Sequence, residues 1–440
     1  MFKKISKKII KSENNLENKN LILFLSGKSI SLFGSAIYTF VVGLYLLKTT
    51  GSGLTFATNI VLYTLPIVFI NPFAGVLADK INKKKIVVGS DFLNGIFLLG
   101  VYLLSIRIGL STYLVYISTF LMTVLSVFFN IGIESAKPNL VRKESLVKIN
   151  SLARVIESTS HLIGPVAGGL IYVVLDTKIF ILINAISFLF AALLEYFINY
   201  DFNKNSDTEK PVVDKFIHSS VWLKMEEGYN YLFTRSHLKG LVYVFIGLNF
   251  FFNFTIIVPL PYLLNTLWKV DSFIYGVVQS GLPIGMILGA LYVKRILNHI
   301  EYSTMLKKIG FYSSFVVLGF ALPMVIISDS PHQIFILIYY TILMIISGIV
   351  VSLVDIPASV LLQKIVPGKI LGRVISVKLS IIKIIVPITL LLSGYLLELI
   401  PIIYIFLIGS FIFLLFNILF FRSTPGKDFI NISGVNLISH

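Results

Sequence analysis

The residues Gly75-Val-Leu-Ala-Asp79-Lys-Ile-Asn-Lys-Lys-Lys85 stand between two long apolar runs, at about 54–74 and 86–106. A glycine, a leucine and an aspartate at alternate positions are followed closely by a cluster of lysines. A helix needs about 20 apolar residues to cross the hydrocarbon core of a bilayer, and this stretch is too short and too charged to do so. It therefore predicts a tight cytoplasmic turn that joins two transmembrane helices.

The chain on either side of this turn is predominantly apolar. Of its 440 residues, 56% are hydrophobic and 13% are charged, which leaves too little polar surface for a soluble protein of this length. The apolar runs are continuous and do not alternate with polar residues as barrel strands do. The sequence therefore predicts an all-α membrane protein with twelve transmembrane helices. The predicted helices lie at about 21–47, 54–77, 86–106, 111–134, 149–174, 178–198, 239–264, 272–293, 304–327, 332–355, 372–397 and 401–421.

The basic residues predict the orientation of these helices. With the N-terminus in the cytoplasm, 29 of the 37 lysines and arginines fall in cytoplasmic segments, four in outer loops and four inside helices. Such an asymmetry favours a multi-pass protein of the cell membrane with both termini in the cytoplasm. It also accounts for the net charge of +16 as a signal for topology and for anionic lipid, so we expect the bilayer and not nucleic acid as a partner.

The longest polar interval, 199–238, predicts a division into two halves. We expect it to be a cytoplasmic linker that carries a short amphipathic helix on the membrane surface at about 221–233. Two six-helix halves around a midplane cavity are typical of transporters. The predicted organisation is an N-terminal segment at 1–20, a first half at 21–198, the linker at 199–238, a second half at 239–421 and a cytoplasmic tail at 422–440.

The sequence offers no site for redox, metal or nucleotide chemistry. It has no cysteine, and its six histidines include no pair at metal-ligand spacing. The residues around Lys28 superficially match the end of a phosphate-binding loop, but Ile22 occupies the position of the first glycine, and the setting is a spanning helix. We therefore expect neither an enzyme nor a cofactor nor a metal.

Two glycine motifs resemble those of a known family. Gly75-x-Leu77-x-Asp79 with the lysines that follow resembles the loop 2–3 signature of the major facilitator superfamily, and Gly164-Pro165-Val-Ala-Gly168-Gly169 resembles the antiporter motif of its exporters. Shorter matches resemble the macrolide-efflux branch of drug:proton antiporters: Ser31–Gly34, Thr50–Ser52, Pro72–Gly75, Ser90–Asp91 and Gly372–Val374. The chain departs from the pattern at Asn82, where the family usually has glycine, and lacks the fourth-helix arginine of some exporters.

The resemblance implies a major facilitator fold and secondary active efflux by alternating access. Its expected partners are protons and an amphiphilic small molecule, such as a macrolide-like drug or another natural product, and the expected protein is a monomer. Two alternatives remain open. One is an exporter of a siderophore, peptide or lipid, and the other is a non-transporting membrane sensor or immunity protein with the same fold.

The loop 2–3 motif and its surroundings predict a gate. We expect Gly75 and Asp79 to form a latch in which Asp79 docks on the N-terminus of the eleventh helix, where a carboxylate is favourable. Lys83 could reach Glu134 at the end of the fourth helix, so that Asp79, Lys83 and Glu134 would form a series of alternating charges. Asp91 could cap the third helix or brace the same turn. The alternative for the lysines of this turn is a purely topogenic role.

The fifth helix carries ionisable residues on one stripe. Arg154, Glu157, His161, Gly164 and Gly168 advance by three or four positions at a time, so they share a face. Glu157, together with His161, could couple transport to protons, because histidine titrates near physiological pH. The alternative is an Arg154–Glu157 ion pair with a hydrogen-bonded histidine. Small residues also permit close helix packing, so we expect a rigid seam formed by Gly164, Pro165, Gly168 and Gly169.

Several polar residues within the predicted helices are candidates for a substrate cavity. Asn249 and Asn253 lie in the seventh helix among phenylalanines, with Asn59 and Gln279 as weaker candidates. Lys383 lies deep in the eleventh helix and would favour a substrate with an acidic or carbonyl group. The alternatives are aromatic residues that face lipid and lysines that extend to the interface.

Overall fold

The computed structural model describes residues 2–203, 221–299, 301–326 and 331–423. Side chains within these ranges are described except at 2–14, 71–80, 221–225, 237 and 368–369. The described chain is helical and contains no strand. This confirms the predicted all-α fold.

Fourteen α-helices follow one another along the described chain. They are α1 Phe2–Thr50, α2 Gly53–Lys80, α3 Lys83–Ile108, α4 Thr112–Leu140, α5 Leu146–Val174, α6 Thr177–Tyr196, α7 Val221–Thr234, α8 Ser236–Phe252, α9 Pro259–Tyr262, α10 Ser272–Leu297, α11 Tyr302–Ile326, α12 Gln333–Ile365, α13 Gly368–Leu399 and α14 Ile402–Arg422. The short helix α7 coincides with the amphipathic segment predicted inside the linker.

Eleven helical stretches of the described chain are long and apolar enough to cross a membrane. They correspond to eleven of the twelve predicted runs. The remaining run is α5, which has 29 residues and is long enough, but its charged, histidine and glycine residues lower its hydropathy. The chain is a multi-pass membrane protein, and the fifth span stays a prediction.

The turn between α2 and α3 is shorter than the sequence motif suggests. Helix α2 continues to Lys80 and α3 begins at Lys83, so only two residues join them. Asn82 caps α3, because its side chain accepts a hydrogen bond of 2.9 Å from the backbone N–H of Lys84. The residue that departs from the family's glycine therefore has a local structural role.

Helix α1 begins far before the apolar run that predicted it. It has 49 residues and, at 1.5 Å per residue, exceeds the bilayer core of about 30 Å more than twofold. Its polar part packs against the protein. The Asn20 amide donates to the carbonyls of Leu140 and Asn199, both at 3.1 Å, and Glu17 pairs with Arg142. The predicted boundary at residue 20 is therefore not a boundary of the helix.

The chain forms two compact units. The first comprises Met1–Tyr45 and Leu62–Val212, and the second comprises Leu46–Val61 and Val213–His440. Buried residues of α1, α4 and α5 form a core in the first unit, and residues of α8, α11, α12, α13 and α14 form a core in the second. Residues 46–61 thus pack with the second unit, although the sequence places them in the first six-helix half.

The segment after α8 has an irregular helical path. Two five-residue π-helical turns, Asn253–Ile257 and Leu263–Leu267, flank α9. Pro259 and Pro261 have no N–H to donate, which interrupts the regular hydrogen-bond ladder. Asn253 and Asn265 each donate a side-chain hydrogen bond to the carbonyl four residues earlier, at 2.7 and 2.9 Å. Such π turns are frequent at functional sites.

Candidate functional site

Lys28 is the centre of a charged cluster in the first unit. Its side chain is fully buried, and its Nζ lies 2.8 Å from Oε1 of Glu134 on α4 and 2.8 Å from Oε1 of Glu157 on α5. The sequence identifies Lys28 only as a basic residue inside a helix. Its partners lie 106 and 129 positions away, so no local spacing indicated them.

Two further basic residues extend this cluster. Lys137 Nζ lies 2.5 Å from Oε2 of Glu134, and Arg154 Nη1 lies 3.0 Å from Oε2 of Glu157. The order Lys137–Glu134–Lys28–Glu157–Arg154 alternates positive and negative groups, and we call it the charge chain. A buried charge is tolerated when it is paired in this way. The charge chain therefore ties α1, α4 and α5 together within one unit.

The charge chain bears on two predictions. The ion pair between Arg154 and Glu157 is present, and Glu157 also accepts from Lys28. Glu134 is engaged by Lys28 and Lys137, whereas the sequence suggests Lys83 as its partner. His161 is exposed one turn beyond Glu157 on α5. The proposed coupling role of Glu157 and His161 stays a prediction.

The glycines of α5 face α1. A Cβ atom at Gly164 would lie 2.8 Å from Cβ of Ala36, and one at Gly168 would lie 2.7 Å from the ring of Phe40. These distances are shorter than ordinary contacts, so a side chain at either position would push α1 and α5 apart. Gly169 is also buried, and Pro165 lies between the two packing glycines within the helix. The motif thus forms a close seam between two helices of the first unit.

A second polar cluster in the first unit lies among α1, α3 and the end of α6. Asp91 is 1% exposed and accepts a hydrogen bond from the hydroxyl of Ser31. Glu195 is fully buried, and a Cβ atom at Gly27 would lie only 2.8 Å from its Cγ. The sequence predicts Asp91 as a helix cap or a brace for the α2–α3 turn. The cap prediction is wrong, because α3 begins at Lys83 and is capped by Asn82, and Asp91 lies within the helix. Glu195 was not singled out from the sequence.

The second unit contains a cavity of about 100 Å³ between α8, α11, α12 and α14. Its lining is mainly apolar, and the polar groups are Asn249, Ser313, Ser347 and Asp355. An apolar lining with a few polar groups is typical of small-molecule sites.

Lys378 lies beside this cavity. It is 6% exposed, and its Nζ lies 3.5 Å from the centre of the Phe245 ring, which lines the cavity. It also interacts electrostatically with Asp355. A cation over an aromatic face is stabilised by the ring quadrupole. The basic residue at the cavity of this unit is thus Lys378, whereas the sequence favours Lys383, which is half-buried and does not line this cavity.

The remaining cavity candidates occupy different surroundings. Asn249 lines the cavity and donates to the carbonyl of Phe245 at 3.0 Å. Asn253 donates to the carbonyl of Asn249, and Gln279 donates to the hydroxyl of Tyr275 at 2.9 Å. Asn59 is buried in the second unit. Of these candidates, the structure places Asn249 at this cavity.

The turn between α1 and α2 packs on α13 within the second unit. Gly51 has a φ of +64°, which favours glycine. A Cβ atom at Gly394 would lie 2.7 Å from Cβ of Ala57, and the Glu398 carboxylate accepts from the Ser52 hydroxyl at 2.6 Å. Because Ser52 immediately precedes α2, a carboxylate here also benefits from the positive end of the helix dipole.

The predicted latch of Gly75 and Asp79 on the start of α13 lies outside the described side chains. The structure shows a carboxylate at a helix N-terminus within the second unit, at Glu398 and Ser52. There, a carboxylate of α13 meets the N-terminus of α2. The Asp79 latch stays a prediction.

The comparisons with known proteins agree with this architecture. The sequence pattern of the Major Facilitator Superfamily matches residues 24–377, which is more than half of the chain. Macrolide efflux protein A of Streptococcus pyogenes is 24% identical over 381 residues, covering 84% of this chain and 87% of that protein. Macrolide efflux protein A of Enterococcus faecalis is 24% identical over 244 residues, covering 53% of this chain and 72% of that protein.

Solved transporter structures share the fold. The nucleoside transporter NupG has a TM-score of 0.64 at 14% identity, covering 93% of this chain and 98% of that chain. A bacterial homologue of the iron transporter ferroportin in its inward-facing state has a TM-score of 0.64 at 15% identity, with the same coverage. These likenesses concern the fold and not the substrate. The chain is a membrane transporter and belongs to the Major Facilitator Superfamily.

Proposed function

We propose that this transporter is a proton-coupled exporter of an amphiphilic compound of the macrolide type. The observation that carries the proposal is the similarity to Macrolide efflux protein A, which extends over 84% of this chain. The Gly164–Gly169 motif supports export, because it resembles the motif of exporters in this superfamily. We further propose that both termini lie in the cytoplasm of the cell that holds it, and that the protein acts as a monomer.

Alternating access requires parts that stay rigid while others separate. The charge chain and the α1–α5 seam supply rigid joints inside the first unit, because both depend on contacts that tolerate little displacement. The packing of Gly394 on Ala57 would then be a contact that opens and closes on the outer side. Asp79, Lys83 and the α13 N-terminus would form its cytoplasmic counterpart.

A drug-efflux assay tests this function. An efflux-deficient host that expresses the chain should tolerate several-fold more erythromycin than the host with an empty vector, and an uncoupler should abolish the outward movement of radiolabelled erythromycin. The matched variant is Asp79→Asn at equal membrane abundance, which should reduce efflux if the latch operates. Unchanged susceptibility to erythromycin would remove the macrolide assignment.

The same assay separates the alternatives. Efflux of a siderophore, a peptide or a lipid probe without erythromycin efflux would support an exporter with a substrate other than a macrolide. An absence of uncoupler-sensitive efflux across all these probes would favour a sensor or immunity protein that keeps the fold.

A further inference from the structure

The carboxyl group of Glu195 has an unusual environment in the first unit. The residue is fully buried at the end of α6, and neither of its carboxyl oxygens has a hydrogen-bond partner in the described part of the chain. Gly27 makes room for it, since a Cβ atom there would lie 2.9 Å from Oε1. A buried polar atom without a partner requires an explanation, and a buried unpaired carboxylate is strongly unfavourable.

Asp91 is a second buried carboxyl group close to Glu195. Asp91 contacts Ser31 and Glu195 packs on Gly27, one turn earlier on α1, and the two groups interact electrostatically. Asp91 accepts from Ser31, and within the described part of the chain neither carboxyl group forms an ion pair. Two carboxyl groups in one buried site cannot both be charged without a large penalty, and protonation of one of them relieves it.

Tyr200 is a third buried polar group, and it interacts electrostatically with Glu195 and Asp91. Its side chain is more than nine-tenths buried, and its hydroxyl has no hydrogen-bond partner among the described residues. It lies just after α6, and burial, followed by the charges of Glu195 and Asp91, raises the pKa of Tyr200. The phenol therefore stays protonated and remains a hydrogen-bond donor.

The other titratable groups nearby are engaged elsewhere. Lys28, on the same helix as Ser31, directs its ammonium to Glu134 and Glu157. Lys84 on α3 lies over the ring of Tyr196, with its Nζ 4.0 Å from the ring centre. Protonation of Glu157 would weaken its contacts with two cations, whereas protonation of the Asp91–Glu195 pair would remove an unpaired buried charge.

We propose that Asp91 and Glu195 form a proton-binding site that loads and unloads during transport, and that Glu157 has a structural role in the charge chain. Uptake converts one of the two carboxylates into a neutral carboxylic acid, which leaves a single buried negative charge at the pair. Release returns that proton to water without any change in oxidation state. This inference rests on the proposed proton-coupled function and assigns the proton to residues other than those the sequence favours.

Infrared spectroscopy tests the site without any substrate. In purified full-length protein in lipid nanodiscs, we expect the carbonyl band of a protonated carboxylic acid at neutral pH, and its loss as the pH is raised. Asp91→Asn and Glu195→Gln should each diminish this band. Both substitutions keep the side-chain size and resemble the neutral acid, so both variants should fold. The control is Glu144→Gln, because Glu144 is exposed in the turn before α5.

The spectra also contain the outcomes that would overturn the proposal. A band that is absent from the unmodified protein at neutral pH, or unchanged in both variants, would exclude a bound proton at this pair. A band that responds to added sodium at constant pH would indicate a metal-cation site instead.

Transport measurements connect the site to coupling. In inside-out vesicles with an acidic lumen, Glu195→Gln should abolish accumulation of radiolabelled erythromycin and preserve its downhill exchange. Accumulation at the level of the unmodified protein would contradict a coupling role. If the unmodified protein does not accumulate erythromycin, the macrolide function fails, and the infrared result still decides whether the pair holds a proton.

Discussion

At the scale of single residues, Lys28 shows how a charge can be kept inside a membrane helix. Its ammonium has no exposed surface, and it is balanced by carboxylates from two other helices. The second oxygen of each carboxylate contacts another cation, Lys137 at Glu134 and Arg154 at Glu157. An ionisable residue in a spanning helix is expected to have such partners, and the three-dimensional structure identifies them.

Replacing Lys28 by methionine should destabilise the protein. The change leaves Glu134 and Glu157 partly uncompensated, and breaking a buried ion pair costs about 3–5 kcal/mol. We expect a clearly lower unfolding temperature of the purified protein in detergent. Arg154→Met is the matched control, since the Arg154 side chain is 82% exposed and its pair with Glu157 contributes at most about 1 kcal/mol.

A double variant tests the same cluster by removing a carboxylate in addition to the lysine. Glu157→Gln in the Lys28→Met background removes one of the two carboxylates left behind, so it should recover part of the lost stability. If Lys28→Met unfolds at the temperature of the unmodified protein, the ammonium is not a structural tie.

At the scale of helices, the seam between α5 and α1 depends on the absence of side chains. Gly168→Ala places a methyl group against the ring of Phe40, and overpacking of this kind typically costs about 1–3 kcal/mol. We expect a lower unfolding temperature and reduced erythromycin efflux at equal abundance. Gly100→Ala in α3 is the control. No neighbouring atom lies within 4 Å of its added carbon, so it should leave stability unchanged or slightly raised.

The contact between α2 and α13 can be tested by a disulfide. The chain has no cysteine, so Ala57→Cys with Gly394→Cys introduces one isolated pair at a site of close approach. Because a disulfide needs Cβ atoms about 3.5–4.5 Å apart, the two helices must separate slightly for it to form. Oxidation should remove labelling of the pair by a maleimide-linked polymer, while each single variant stays labelled. It should also stop efflux until a reductant is added.

Failure of this pair to oxidise would mean that the two helices do not reach the spacing of a disulfide in the membrane. Oxidation with full efflux activity would mean that it need not open during transport.

The helices could be predicted from the sequence much better than their partners. Each spanning helix can be recognised from its own apolar residues. The ion pair of Arg154 with Glu157 can be predicted because the two residues are three positions apart on one helix. Lys28 with Glu134, and Gly27 with Glu195, are brought together by packing over more than a hundred residues. A single sequence carries no signal for such pairings, and Glu195 resembles any polar residue at a helix end.

Two helices differ from expectation for physical reasons. The polar start of α1 stays helical because Glu17 and Asn20 find partners within the first unit. The fifth helix is not among the eleven stretches that are apolar enough to span a membrane, because its glycines and charged residues serve packing and ion pairs.

At the scale of the whole molecule, the orientation in the membrane rests on the distribution of basic residues. The split of 29 to four predicts that the α4–α5 turn is cytoplasmic and that the α3–α4 turn is outside. Since the chain has no cysteine, a single introduced thiol reports on one position. Glu144 lies in the α4–α5 turn and is exposed. Tyr113 lies at the start of α4, next to the α3–α4 turn, and is 78% exposed.

A membrane-impermeant maleimide should therefore label Tyr113→Cys in intact cells, and it should label Glu144→Cys only after the cells are permeabilised. The same two variants should show equal labelling in detergent, which controls for thiol reactivity. The opposite labelling pattern would mean that the protein has the reverse orientation in the membrane. It would then place the α1–α2 turn and its contact with α13 on the cytoplasmic side, where an exporter takes up its substrate rather than releases it.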